Sequence, residues 1–169
     1  VDVLTEHMAA DDENIRTNAL STLGKITSGY PDAAGDIVEP LGDLLTSDNA
    51  MVRTNAAGLL GDIAQSNPDA VVALVPELAA SLTAEDEGTR INASIALLRA
   101  GEADPEAVSA EHEQLAAALD DSNSNVRANA CTLIGNAEAP VSIDQLRPLE
   151  EDPDEQVQEQ ATWAIDRLS

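Results

Sequence analysis

Arg16-Thr17-Asn18-Ala19 returns 37 residues later as Arg53-Thr54-Asn55-Ala56, then as Arg90-Ile91-Asn92-Ala93, and again as Arg127-Ala128-Asn129-Ala130. A weaker fifth copy, Gln158-Glu159-Gln160-Ala161, follows after a step of 31. A fixed period of this size marks a stack of short supersecondary units. One unit is too small to bury its apolar side alone, and neighbours bury it for each other.

The residues around the box fall into columns. Leu4, Leu41, Leu78, Leu115 and Leu146 lie twelve positions before it, and Leu23, Leu60, Leu97, Ile134 and Ile165 lie seven after it. Ile15, Val52, Val126 and Val157 directly precede it, with Thr89 as the exception. Pro31, Pro68 and Pro105 follow fifteen positions on, where a proline suits the first turn of a helix. Within a unit the apolar spacing is three and four, the period of an amphipathic helix. Each unit therefore reads as two helices. The first helices are predicted over 1–9, 35–46, 69–83, 108–119 and 142–149, the second over 13–28, 50–65, 87–100, 124–136 and 155–168. Thr46-Ser47-Asp48-Asn49 offers a cap between them, Ser142-Ile143-Asp144-Gln145 fits a capping box, and 150–155 reads as a solvated acidic turn. The fold predicted is all-α, a right-handed α-α superhelix of about five hairpins in one domain over 1–169. Its units are 1–31, 32–68, 69–105, 106–141 and 142–169. The chain opens already inside a repeat, as a piece of a longer protein would.

These residues resemble the HEAT repeats, especially the short form of phycobilin-lyase-like proteins. That pattern is an acidic turn, then Val-Arg, then Ala and Leu-Gly on the second helix. Here it stands as Asp48 to Ala56 with Leu60-Gly61, as Asp121 to Ala130 with Ile134-Gly135, and as Asp11 to Ala19 with Leu23-Gly24. The third copy departs, with Gly88-Thr89 before Arg90 and Leu98 in place of the glycine, and the fifth lacks the arginine. The resemblance implies an α-solenoid. It does not select an activity, because this fold hosts scaffolds, adaptors and a few enzymes.

The charge is extreme: 32 acidic residues against 8 basic ones, net −24, with Lys25 the one lysine. Two readings compete. One is adaptation to a salt-saturated cytoplasm, where a Debye length of roughly 3 Å lets like charges crowd. The other is capture of a basic partner. Acids spread over every repeat favour the first, a halophilic origin. Either reading disfavours nucleic acid, whose phosphates need Lys and Arg clusters. No apolar run is long enough to span a membrane and no signal peptide is visible, so the expected location is the cytoplasm. Cys131 is the single cysteine, which excludes an intrachain disulfide, and it reads as a small core residue.

Arg16, Arg53, Arg90 and Arg127 sit in a helix's first turn, where the macrodipole disfavours a cation. Acids in the preceding turns, among them Asp48 and Asp121, are the expected compensation, as an Asp–Arg ladder between adjacent repeats. A row of guanidinium forks for a partner's carboxylates is the alternative. Asn18, Asn55, Asn92 and Asn129 are poor helix formers in register. They read as inter-repeat hydrogen bonds or, alternatively, as a track for an extended peptide backbone. No metal site is expected: Glu111-His112-Glu113 points in different directions on a helix, and Glu6-His7 is a loose pair whose imidazole aligns with packed leucines. No cofactor and no catalytic residues are expected. The function predicted is a non-enzymatic scaffold binding a protein or peptide on its concave face through Thr17, Asn18, Thr54, Asn55, Ile91, Asn92, Ala128 and Asn129. A lyase-like or regulatory subunit attached to an enzyme is the alternative.

Overall fold

The computed structural model describes residues 4, 7, 8, 10, 12–29 and 37–169. The first predicted helix, Pro31 and the start of the helix predicted at 35 lie largely or wholly outside them. Five long helices recur at the period of the box: α1 (Glu13–Gly29), α3 (Ala50–Ser66), α5 (Glu87–Ala103), α8 (Ser124–Asn136) and α10 (Glu155–Leu168). Each begins at a capping side chain in the same position of its repeat, namely Asp12, Asn49, Asp86, Asn123 and Asp154. The cap oxygen accepts an otherwise orphaned N–H two or three residues on, as Asn49 does from Met51 at 2.9 Å.

The alternate helices are broken. α2 (Val38–Leu44) is short, and the third repeat strings a 3-10 turn (Pro68–Leu74), α4 (Val75–Ala80) and a second 3-10 turn (Ser81–Thr83). The fourth repeat divides into α6 (Pro105–Ala110) and α7 (His112–Ala118), beginning three residues before the predicted start. The fifth joins α9 (Ile143–Leu146) to a 3-10 turn over Arg147–Glu151. Pro76 and Pro148 stand in the first turn of the piece they begin. A proline has no N–H to close the previous α turn, so the tighter 3-10 geometry bridges the gap. In the fourth repeat the break falls at Glu111 with no proline near it.

The second helices pack side by side as one layer, with the broken first helices against them. Leu41, Leu78, Leu115 and Leu146 are fully buried, as are Leu23, Leu60, Leu97 and Ile134. All join one apolar cluster that runs from repeat to repeat. Val52, Thr89, Val126 and Val157 are closed to solvent, whereas Ile15, in the first repeat, is 41% exposed. Cys131 lies inside this core, and burial pushes its thiol up to about 12, so it is an inert apolar filler. The architecture is an all-α solenoid, with no strand among the described residues.

Candidate functional site

Three of the four box arginines, Arg53, Arg90 and Arg127, do two jobs, and Arg16 shares the first of them. One terminal nitrogen folds back to a carbonyl in its own turn, six residues earlier. Arg16 reaches Ala10, Arg53 reaches Ser47 at 2.6 Å, Arg90 reaches Ala84 at 3.0 Å and Arg127 reaches Asp121 at 2.7 Å. In the fifth copy Gln158 supplies the same bond, its amide donating to Asp152 O at 2.6 Å. The rest of the guanidinium crosses to the next repeat. Arg53 pairs with Asp86, Arg90 with Asp121 and Arg127 with Asp152, at 2.6, 2.6 and 2.8 Å. A carboxylate and a carbonyl thus stand beside each of these cations at a helix start that would otherwise repel it.

Asp121 and Asp152 each occupy the position two before the cap. Each also accepts the backbone N–H of its own cap residue, Asn123 at 2.7 Å and Asp154 at 2.9 Å. Asp152, read from the sequence as part of a solvated turn, is 7% exposed. The Arg127 guanidinium holds its carboxyl below the usual carboxylate range and is itself pushed up by Asp152. The shared offset before the cap is the signal that would have found it. Asp48 is one place nearer its cap and is exposed; it shares a cleft with Arg16.

The joint between the second and third repeats is built differently. Ala84 fills the position of Asp121 and Asp152, and the cap itself, Asp86, makes the bridge. Its Oδ2 accepts from Arg53 Nε and Nη2, at 3.0 and 2.6 Å. Its Oδ1 accepts from Thr54 Oγ1 and Thr89 N, both at 2.9 Å. Burial pushes the Asp86 carboxyl up, but the bonds from Thr89, Arg53 and Thr54 outweigh it and hold the group well below its ordinary value. Thr89, where other repeats carry valine or isoleucine, is fully buried with its hydroxyl 3.2 Å from that of Thr54. Gly88 leaves room for this, since a Cβ there would stand 2.9 Å from the Thr54 methyl.

The predicted contact residues separate into two groups. Asn92 donates to Thr54 O and Asn129 to Ser94 Oγ, both at 2.9 Å, so these amides tie neighbouring second helices together. Thr54 belongs to the Asp86 network, and Ile91 packs against the core. Ala128 is 1% exposed, which corrects its reading as a solvent-facing contact: its methyl is spent on the layer beneath. The Thr17 hydroxyl donates to Met51 Sδ of the next repeat at 3.9 Å, while Asn18 is exposed and Asn55 half-buried. Asn55 lines a cleft of about 240 Å³ with Ser21, Gly24, Gly58, Asp62 and Asn92. His7, which its alignment with packed leucines marked as partly buried, is exposed. No group of three or more metal-ligating side chains converges among the described residues. No helix among them is long and apolar enough to cross a membrane.

Residues 113–169 match a family model of HEAT repeats, and residues 13–63 match one of a HEAT-like repeat. These two segments are similar to HEAT-type repeats. No functionally curated protein matches its sequence. Among solved structures, an engineered protein superposes with a TM-score of 0.84 at 26% identity, over 99% of this chain and 78% of that one. A computationally designed armadillo repeat protein for modular peptide recognition gives 0.81 at 20% identity, over 98% and 81%. The complex of CpcE and CpcF of phycocyanin lyase from Nostoc sp. PCC7120 gives 0.71 at 21% identity, over 99% and 64%. A designed armadillo protein bound to the peptide (KR)4 is also similar, at 0.76 and 20% identity over 98% and 80%.

Proposed function

We propose that this chain, similar to HEAT repeats, is a non-enzymatic scaffold that holds a protein or peptide segment on the concave face presented by its second helices. The observation that carries the reading is the split among the box residues. Thr54, Asn92 and Asn129 are consumed within the joints, whereas Asn18 and Asn55 each line an open cleft beside the second helices. An amide both donates and accepts, which suits it to an extended backbone. The designed armadillo relatives, which recognise peptides, lend the reading support by analogy of fold. Nucleic acid is not the proposed partner, because Arg53, Arg90 and Arg127 are committed to carboxylates. We read the acid excess as adaptation to concentrated salt in the cytoplasm, and the repeats over 1–169 as one domain.

A second reading, a lyase-like or regulatory subunit of an enzyme, draws on the likeness to the CpcE–CpcF complex. It is the weaker one, since the second-helix cleft has no aromatic lining to hold a conjugated ligand.

The test is a pull-down from native cytosol at molar salt, comparing the wild type with an Asn18→Ala, Asn55→Ala double variant. Loss of a specifically captured protein, with the melting temperature unchanged, is the expected result. Equal capture by both proteins, or none by either, would count against the scaffold.

A further inference from the structure

The fifth repeat differs from the other four along one face. Eight positions before the box, Met8, Leu45, Leu82 and Leu119 are buried, whereas Glu150 is exposed. Four positions after it, Leu20, Ala57, Ser94 and Cys131 are buried, whereas Thr162 is exposed. One position after it, Thr17, Thr54, Ile91 and Ala128 give way to Glu159. Eight positions after it, Gly24, Gly61, Leu98 and Gly135 give way to Asp166. Gln158, in place of the arginine, keeps the bond to Asp152 O in its own turn but carries no fork to send onward.

In the earlier repeats these columns meet the next repeat. Arg53 and Thr54 reach Asp86, Gly24 faces Leu59, and Gly61 faces Ala96 and Arg99. In the fifth, Glu150, Gln158, Glu159, Thr162 and Asp166 line one open cleft at the end of the stack, beside Trp163. The Trp163 ring turns back over Gly135 of α8 and covers the last joint, with the Arg167 guanidinium carbon 5.8 Å from its centre. The opposite end of the stack offers the complementary half of a joint. Asp12 holds there the place of Asp86, four before the box, and Ala10 holds that of Ala84. Ile15 is 41% exposed where Val52, Thr89, Val126 and Val157 are closed, and it lines an open cleft with Leu4, Ala19 and Thr22.

We propose that the end face of the fifth repeat guards the molecule against stacking head to tail on a second copy. An arginine at position 158 would find a second copy's Asp12 as Arg53 finds Asp86, and glutamine removes that fork. Glu150, Glu159 and Asp166 would lose their water in a joint whose facing side already brings the Asp12 carboxylate. A polar outer face on a terminal repeat keeps a stack soluble in this way. Head-to-tail contact does not close on itself, so copies without the guard would run on as a filament. Salt screens repulsion between carboxylates but leaves their hydration in place, so the guard holds at molar salt.

Trp163, the single tryptophan, borders the end cleft, so its quenching by acrylamide reads whether that face is covered. The test follows quenching and sedimentation from micromolar to millimolar protein at about 1 M potassium chloride. A combined variant, Glu150→Leu, Gln158→Arg, Glu159→Thr, Thr162→Ala and Asp166→Gly, gives the fifth repeat the residues of the second. A milder Gln158→Arg, Glu159→Thr pair, checked by an unchanged melting temperature, decides the matter if the combined variant fails to fold. The wild type is expected to stay monomeric with constant quenching. The folded variant is expected to associate at least about tenfold more tightly and to shield Trp163. Adding Ile15→Asp, at the other end of the stack, should dissolve that association. Wild-type Trp163 that becomes shielded as concentration rises would overturn the proposal by placing a second copy on the end face. A folded variant that associates no more than the wild type, or whose association survives Ile15→Asp, would overturn it as well.

Discussion

The joint between the second and third repeats and the joint between the fourth and fifth solve one problem with different numbers of carboxylates. At the later joint Asp152 takes Arg127 with both oxygens, while Asp154 caps α10 separately. At the earlier joint Asp86 does both tasks, one oxygen for Arg53 and the other for Thr54 and the helix start. The arginine fork needs a carboxylate within reach, but not from a fixed position. Where the usual position holds Ala84, a glycine and a buried threonine let the cap serve instead. The departures of the third copy, Gly88 and Thr89, are therefore one coordinated substitution.

This contrast can be broken at several points. The largest effect is expected from Asp86→Ala, which strands Arg53 and removes the cap together. It should cost about 4 kcal/mol, combining a lost part-buried, multiply hydrogen-bonded pair with a lost cap. Asp152→Ala should cost about 3 kcal/mol, because the Asp154 cap survives it. Asp154→Ala alone should cost about 1 kcal/mol. Chemical denaturation measures all three, and equal losses for Asp86→Ala and Asp154→Ala would erase the distinction.

Gly88→Ala should cost about 1–2 kcal/mol through overpacking against Thr54, and a Thr54→Ala background should absorb that clash. A Gly88→Ala loss unchanged in that background would mean that the glycine does not make room for Thr54.

The pH dependence separates the later bridge from simple packing. The folded Asp152 carboxyl is held below its unfolded value by Arg127. Its contribution is therefore complete above the unfolded value of about 4 and lost as pH falls through the lower folded value. The stability gap between the wild type and Asp152→Asn should be constant near neutrality and close below about pH 4. A gap unchanged down to the acid transition would assign the loss to shape alone.

The smallest effect per group is that of salt. With a net charge of −24, the melting temperature should climb with potassium chloride as self-repulsion is screened. A flat profile to molar salt would remove the adaptation reading.

The second helices were legible because their signals are local: a cap residue at a fixed place, then apolar side chains at three and four. Their starts at 13, 50, 87, 124 and 155 agree with the sequence reading residue for residue. The first helices were only half legible. Their leucine column identified the buried side, but the 3-10 segments depend on how a missing proline N–H is accommodated against the neighbouring layer. Ala128 shows a different limit. It shares its place in the box with exposed or half-buried residues, and only the packing of α8 closes it. Asp152 was hidden inside an acidic run whose other members face water.

The most direct measurement is a pair of double-mutant cycles, Arg127→Ala with Asp152→Ala and Arg53→Ala with Asp86→Ala. If these bridges hold successive repeats together, both pairs should couple by about 1–3 kcal/mol. Coupling should be smaller at Asp86, where Thr54 and Thr89 still hold the carboxylate. Losses that add within about 0.3 kcal/mol at both joints would contradict the claim that these pairs hold the stack.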